Sequence, residues 1–196
     1  FGDLGSARYK EYVEDINHSG LHMLDMVDDV LDISSIEAGT RAFNMSEIDT
    51  QELFRGCVKR VEKSARDADL TVSISVEDNL PALYADKKSV IQIIHNLLNN
   101  SIKYTPQNGK ISLNATSHEN WIDISIEDTG KGIPSRMITK ITEPFTKVEV
   151  DPYKTEAGTG LGLSIVKSLV DAHDGDILIN SELGKGTKII IAFPRY

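Results

Sequence analysis

The stretch NLLNNSIKYT, residues 96–105, decides the fold of this chain, because it joins an apolar helical face to a row of polar side chains. On a helix, Asn96, Asn100 and Lys103 fall at positions i, i+4 and i+7, so two amides and one ammonium share a face. Asparagine has a lower helix propensity than alanine, and three asparagines in this stretch cost on the order of 1 kcal/mol, which a purely structural helix has little reason to bear. The stretch predicts a helix that is buried on one side and binds a ligand on the other. A merely solvated polar face is the alternative.

The same polar groups indicate which ligand it would be. An amide oxygen can bind Mg²⁺ beside a polyphosphate without adding a full negative charge, and magnesium commonly takes only one or two protein ligands. Lys103 would neutralise phosphate charge.

A second segment, IDISIEDTGKGIP at residues 122–134, places a carboxylate where a strand ends. A carboxylate only accepts hydrogen bonds, so a half-buried Asp128 would suit the exocyclic amine of adenine. Gly130 and Gly132 would let the backbone approach a flat ring closely. An Asx-turn explains the same residues equally well.

A third segment, EAGTGLGLSIVKSLV at residues 156–170, runs alternating glycines into an amphipathic helix. Free backbone N–H groups at a helix N-terminus favour an anion such as phosphate. The segment matches neither GxxxxGK[ST] nor GxGxxG, and a flexible turn explains one glycine more readily than three. Residues 183–187, LGKGT, are typical of a hairpin turn.

From about Asn44 the chain alternates helical and extended patterns. Asp49 and Asp86 are plausible N-caps for two helices. The pattern predicts helices at residues 50–68, 87–103, 135–141 and 161–173, and strands at residues 70–76, 110–116, 121–127, 176–180 and 187–193. Residues 128–160 form too long a connection to be passive, which indicates a functional loop.

Residues 8–38 are predicted to form one long helix that ends at Gly39, a C-cap signal. Small and apolar residues recur at alternating steps of three and four, as in a coiled coil or helical bundle. We call this row the seam: Val13, Ile16, Gly20, Met23, Val27, Val30 and Ser34. The opposite side carries Asp15, Asp25, Asp28, Asp29 and Asp32. The periodicity does not say whether the helix packs on its own domain or on another copy.

Composition excludes several classes of partner and site. Lys plus Arg number 21 against 30 for Asp plus Glu, a net charge of −9 that repels nucleic acids and anionic membranes. The single cysteine, Cys57, excludes an internal disulfide, and no Cys/His spacing indicates zinc. No apolar run is long enough for a membrane span and the first residues do not form a signal peptide, so we expect a cytoplasmic chain or the cytosolic part of a membrane-anchored protein.

Taken together, the four glycine- and asparagine-containing segments resemble the nucleotide-binding boxes of sensor histidine kinases, in the superfamily of gyrase, Hsp90 and MutL ATPases. The long helix ending LDISSIEAG is similar to the second helix of their dimerisation and phosphotransfer domain. The resemblance implies an α+β fold: a two-layer sandwich with a mixed sheet of about five strands under three helices. It also implies a partial helical hairpin at residues 1–40 and an ATP-binding domain at residues 41–196.

Carried over by position, the resemblance implies ATP and Mg²⁺ as cofactors. Asn100 would be the Mg²⁺ ligand, and Asn100 with Lys103 would contribute most to catalysis. Asp128 would bond the adenine amine. The implied nucleotide-binding residues are Asn96, Asn100, Lys103, Tyr104, Asp128, Gly130, Gly132, Lys147, Lys154, Gly158, Thr159, Gly160, Leu161, Gly162 and Thr187. Tyr104 would lie against the adenine and Thr187 near it through a water.

The implied activity is transfer of the γ-phosphate to a histidine and then to a response-regulator aspartate, in a homodimer formed through the helical bundle. None of His18, His22, His95, His118 and His173 has the acidic and basic neighbours of the family's acceptor histidine. We therefore expect each of them to be structural or exposed, and the acceptor to lie on a segment before this one. The alternatives are a non-catalytic docking module with a degenerate nucleotide fold, and an ATPase or serine kinase of the same superfamily.

Overall fold

A five-stranded mixed sheet forms one layer of the molecule, in a computed structural model that describes residues 7–147 and 159–195. Its strand order is β2 (Thr71–Val76), β4 (Lys110–Ser117), β5 (Trp121–Asp128), β7 (Gly186–Pro194) and β6 (Asp176–Glu182). β2 and β4 run parallel, and the other neighbouring pairs are antiparallel. Alternate residues such as Ile111, Leu113 and Ile124 are fully buried, so one face of the sheet supplies the core.

Three helices form the second layer over that face. They are α2 (Thr50–Asp67), α3 (Lys87–Tyr104) and α5 (Gly162–Asp171), and their apolar residues join the strands in one core. The predicted two-layer α+β fold is confirmed. The helix predicted at residues 135–141 is shorter than expected, since α4 spans only Ser135–Ile138 and turns follow it.

Helix starts follow the capping signals of the sequence. The Asp49 side chain accepts a hydrogen bond from Glu52 N at 3.0 Å, and Asp86 accepts one from Ser89 N at 2.8 Å. These bonds satisfy N–H groups that the first turn of a helix leaves open. The two predicted N-caps are confirmed.

A second, two-stranded antiparallel sheet was not predicted. It pairs β1 (Met45–Ile48) with β3 (Leu83–Asp86). Each strand has four residues, which is too short for a period-2 pattern, and the pairing joins segments on either side of α2 and β2.

The long helix α1 spans Ala7–Glu37 and ends as predicted: Gly39 has φ +64° and its N–H donates to Ile36 O. It packs on α5, and its partly buried Met26, Ile33 and Ile36 lie against the core. The apolar residues of the seam are exposed. One side of α1 therefore packs on its own domain, and the side that carries the seam is exposed.

The acidic side of α1 is only partly exposed: Asp15 and Asp28 are exposed, whereas Asp29 and Asp32 are partly buried against the domain. Asp32 accepts a hydrogen bond from Gln92 Nε2 at 2.7 Å and forms an ion pair with Arg41 at 3.4 Å. These contacts tie α1 and the connection at residues 38–44 to α3. Among the described residues, no helix is long and apolar enough to cross a membrane.

Candidate functional site

A cavity of about 350 Å³ brings together segments that lie far apart in the sequence. α3 contributes its polar face, β5 its end, and the turn before α5 its glycines. The residues singled out from the sequence that line the cavity are Asn96, Asn100, Lys103, Tyr104, Asp128, Gly132, Lys147, Thr159, Gly160, Gly162 and Thr187.

Four of the singled-out residues do not line the cavity as described. A Cβ on Gly130 would lie 2.6 Å from Tyr104 O and 2.7 Å from Asp128 Oδ1. The glycine therefore allows the turn after β5 to lie close against the end of α3. Leu161 is fully buried in the core. Lys154 and Gly158 lie outside the described residues.

The amide row of α3 meets the start of α5 at Gly162. A Cβ on Gly162 would lie 3.9 Å from both Asn96 Oδ1 and Asn100 Nδ2, so a larger side chain would fill the space beside the two amides. Within the described part of the chain, the buried Nδ2 of Asn96 has no hydrogen-bond partner. A buried donor without a partner costs about 1–3 kcal/mol. An anionic ligand with oxygen acceptors would remove that cost, and the nearby amide oxygens are suitable Mg²⁺ ligands.

Asp128 is fixed at the opposite wall by three hydrogen bonds. Its Oδ1 accepts from Gly130 N at 2.8 Å and from Thr187 N at 3.3 Å, and its Oδ2 accepts from Ser101 Oγ at 3.1 Å. A carboxylate has about four lone-pair sites, so one on Oδ2 is left for a ligand. Burial raises the pKa of Asp128 above its ordinary value; the three hydrogen bonds oppose this effect, and Glu127 adds to it.

Two lysines converge on the ring of Tyr104. Lys103 Nζ lies 4.6 Å from the ring centroid and 2.8 Å from the phenolic oxygen, and Lys131 Nζ lies 4.6 Å from the same centroid. Both lysines line the cavity. Aromatic faces attract cations, so the ring holds two ammonium groups at the cavity wall. Lys131 was missed because only its flanking glycines were considered in that turn.

The comparisons with known proteins agree with this geometry. A family model described as histidine kinase-, DNA gyrase B- and HSP90-like ATPase matches residues 85–196, more than half of the chain. The chain belongs to this ATPase family. Its histidine kinase relatives and its fold make it a catalytic ATP-binding domain of the histidine kinase type.

Three similar proteins are larger than this chain. The non-motile and phage-resistance protein of Caulobacter vibrioides is 37% identical over 99% of this chain and 23% of its own length. The cell-division control histidine kinase PdhS of Brucella anthropi is 34% identical over 99% of this chain and 19% of its own length. Full-length ShkA in complex with AMPPNP has a TM-score of 0.85 at 28% identity, over 96% of this chain and 39% of its own. The chain thus spans well under half the length of these relatives.

Some side chains that line this cavity could not be singled out from the sequence. Asp29 of α1 lines the cavity, but its position opposite the seam did not indicate any contact with the rest of the domain. Ser101 supports Asp128 but resembles any small helical residue. The lining also includes Asn99 and the apolar Ile126, Ile133, Ile141, Leu163 and Ile189.

The histidines with described side chains fit the expectation of structural or exposed roles. His173 is buried and His118 is exposed. His95 is partly buried and lies 3.2 Å from Asn99 Nδ2; burial and then Arg60 lower its pKa. None of these three lines the cavity.

Proposed function

We propose that this chain is the catalytic part of a two-component sensor histidine kinase. In this function it binds Mg²⁺-ATP and presents the γ-phosphate to a histidine on another segment, for onward transfer to a response-regulator aspartate. The observation that carries the proposal is that one cavity unites Asn100, Asp128 and the glycine turn before α5.

The two ends of the cavity suit the two ends of ATP. Asp128 offers an acceptor for the adenine amine, and Thr187 lies beside it. Asn96 and Asn100 offer amide groups at the phosphate end, where Gly162 leaves space beside them. Asn100 would hold Mg²⁺ through its amide oxygen, and the bound ion would neutralise phosphate charge. The position of Tyr104 against the adenine stays a prediction, and so do the nucleotide-binding roles of Lys147, Lys154 and Gly158.

The chemistry needs positioning and charge compensation more than a reactive side chain. A Pγ–N bond to the acceptor imidazole forms as the bond from Pγ to the bridging oxygen breaks, and ADP leaves with that electron pair. Lys103 and the amides would hold the triphosphate in line for this displacement. Because none of His95, His118 and His173 lines the cavity, the acceptor would come from outside it.

Dimerisation would place that acceptor. The exposed seam of α1 offers apolar side chains such as Val13, Met23 and Val27 to a second copy in a helical bundle. The acceptor helix, the response regulator and a cytoplasmic location belong to the proposed whole protein.

Calorimetry with Mg²⁺-ATP tests the first half of the proposal. Wild-type protein should bind, and Asp128→Asn should weaken binding at least about tenfold, because an amide presents a donor to the adenine amine where the carboxylate accepts. Asn100→Asp should also weaken binding by adding a negative charge beside the phosphates. Wild-type affinity in Asp128→Asn would show that the adenine assignment is wrong.

Phosphotransfer tests the second half. Labelled ATP is supplied with a purified bundle domain that carries an acceptor histidine, and acid-labile label on that domain is measured. Binding without transfer would favour the alternative, a dimerising or docking module with a degenerate nucleotide site.

A further inference from the structure

The edge strand β2 has a neighbour on one side only. It pairs with β4 and is the outermost strand of the sheet. Thr71 N donates to Gly109 O at 3.1 Å, and Glu77 N donates to Ala115 O at 3.0 Å, so every second residue between them also directs its backbone groups to β4. The residues whose N–H and C=O groups face the open edge are Val72, Ile74 and Val76.

This open edge lacks the features that usually protect one. Proteins block an edge strand with charged side chains, proline or a bulge. β2 has the sequence TVSISV, without charge or proline, and pairs with β4 in continuous register. The other edge strand, β6, begins with Asp176 and ends with Glu182. The backbone groups along β2 are therefore accessible to an added strand.

A second cavity of about 520 Å³ lies where β2 ends, and we call it the edge pocket. The turn between β1 and α2 forms one wall, and the connection from β2 to β3 forms the other. None of its lining residues lines the cavity that contains Asn100. Val76 both ends β2 and lines the edge pocket, so a segment paired along β2 reaches it.

Three carboxylates line the edge pocket without a cation beside them. Asp49 Oδ1 accepts from Glu52 N, and Glu77 Oε2 accepts from Ser117 Oγ at 3.1 Å, which leaves the second oxygen of each carboxylate open. Glu47 has no hydrogen bond or ion pair with any described residue. The described lining contains no lysine, arginine or histidine. The edge pocket therefore favours a ligand with a positive charge.

An unsatisfied hydroxyl also indicates that a donor belongs in the edge pocket. Thr50 lines it, is only 4% exposed, and its Oγ1 has no hydrogen-bond partner among the described residues. A buried polar group without a partner is costly, and a donor in the pocket would remove that cost. Within residues 7–147 and 159–195, no three acidic side chains are grouped to hold a metal ion. A guanidinium suits such separated acceptors better, because its five N–H donors spread over a planar fork.

We propose that β2 and the edge pocket together bind an extended segment of a partner protein by strand addition, with an arginine of that segment in the edge pocket. The open backbone groups of β2 supply main-chain hydrogen bonds, and the carboxylates select the basic side chain. The negative charge of the whole chain, −9, adds long-range attraction for a basic partner. This binding does not depend on the nucleotide.

The test uses a peptide of about eight residues, long enough to cover the six residues of β2, with alternating valine and threonine and one arginine near its end. A second peptide carries neutral citrulline in place of arginine. Calorimetry should show that the arginine peptide binds about threefold to tenfold more tightly, because it forms a charge-assisted hydrogen bond. Glu47→Gln should remove most of this difference. Glu37→Gln, which replaces an exposed glutamate at the end of α1, is the matched control and should keep it.

Two further measurements test the strand addition. An arginine peptide that is N-methylated on the residues facing β2 cannot donate main-chain hydrogen bonds and should not bind. Hydrogen exchange of the Val72, Ile74 and Val76 amides should slow when the unmodified peptide is added.

Equal binding of the arginine and citrulline peptides would overturn the role of the carboxylates. Binding of the N-methylated peptide, or unchanged exchange of the three amides, would overturn the strand addition. Exchange that is already slow without peptide and becomes fast on dilution would show that a second copy of the chain covers β2, which would overturn the assigned partner.

Discussion

His173→Ala should destabilise the ATP-binding domain more than any other histidine substitution in the described part of the chain. Because the Leu169 carbonyl only accepts, His173 Nδ1 carries the proton and donates to it at 2.7 Å. Nε2 then accepts from Asp86 N at 3.1 Å. The ring also contacts Phe43 and Phe193 edge to face, at centroid distances of 5.2 and 5.9 Å.

The magnitude follows from these four contacts. Leaving one buried N–H and one carbonyl unpaired costs about 1–3 kcal/mol each, and each aromatic pair contributes about 0.5–1.5 kcal/mol. Partial relaxation of the site lowers the total, so we expect a loss of about 3–6 kcal/mol out of the 5–15 kcal/mol typical of a domain. The loss also has a functional consequence, because Asp86 caps the helix that carries Asn96 and Asn100.

Urea unfolding followed by circular dichroism measures this loss. His118→Ala is the matched control: its side chain is 63% exposed and its Nε2 lies 3.1 Å from Asp123 Oδ2, so its change should stay below about 1 kcal/mol. A loss for His173→Ala of less than about 1.5 kcal/mol, or one equal to that of His118→Ala, would refute the assigned tautomer and its two hydrogen bonds.

Three further predictions concern the cavity. Because burial raises the pKa of Asp128 from its usual 3.8, the folded state holds this proton more tightly than the unfolded state. The contribution of Asp128 to stability is therefore present below pH 3.8 and is lost as the pH rises through the raised pKa. Over that pH range, Asp128→Asn should become more stable relative to wild type. Urea melts in which the stabilities of the two proteins change in parallel with pH would contradict this. Gly186→Ala should abolish nucleotide binding and lower the melting temperature by more than about 10 °C, since φ is +114° and the new Cβ would lie 2.0 Å from Asp128 O. Gly184→Ala, with φ +80° and no atom within 4 Å of its Cβ, is its control, and equal melting temperatures would contradict the close approach. Asp29→Asn should tighten ATP binding several-fold, because it removes a negative charge from the cavity wall. Asp28 is exposed on the same helix, and Asp28→Asn should leave ATP binding unchanged. Equal effects of the two substitutions in calorimetry would show that Asp29 does not act on the bound nucleotide.

Local signals were sufficient to predict most of the fold. The caps at Asp49 and Asp86 and the stop at Gly39 depend on a few neighbouring residues, and each occurs where predicted. The individual strands were predicted from alternating apolar residues, and their assembly into one mixed sheet of about five strands came from the family resemblance. The pairing of β1 with β3 depends on contacts between distant segments, and four-residue strands show no periodicity of their own.

The cavity was less predictable at residues that act through another element. Asn100 and Asp128 were singled out because each side chain has the chemistry that a ligand group needs, and both line the cavity. Asp29 lines the cavity because the side of α1 that carries it packs on the domain through Met26 and Ile33. The neighbours of Ser181 depend on the pairing of β6 with β7, which places Ser181 opposite Thr187. Spacing along one sequence carries none of this information.

The two ends of the cavity depend on different parts of the fold. At the proposed base end, Asp128 and Thr187 are paired residues of β5 and β7, so a slip of one residue would turn one of them to the opposite face of the sheet. At the proposed phosphate end, Asn100 and Gly162 lie on two helices that pack side by side. Substitutions that loosen the β5–β7 pairing should therefore weaken the binding of adenosine and of ATP by the same factor. Substitutions that loosen the packing of α3 on α5 should weaken the binding of ATP and leave the binding of adenosine unchanged. A titration of both ligands against Ile190→Ala, in β7, and Leu163→Ala, in α5, would separate the two ends.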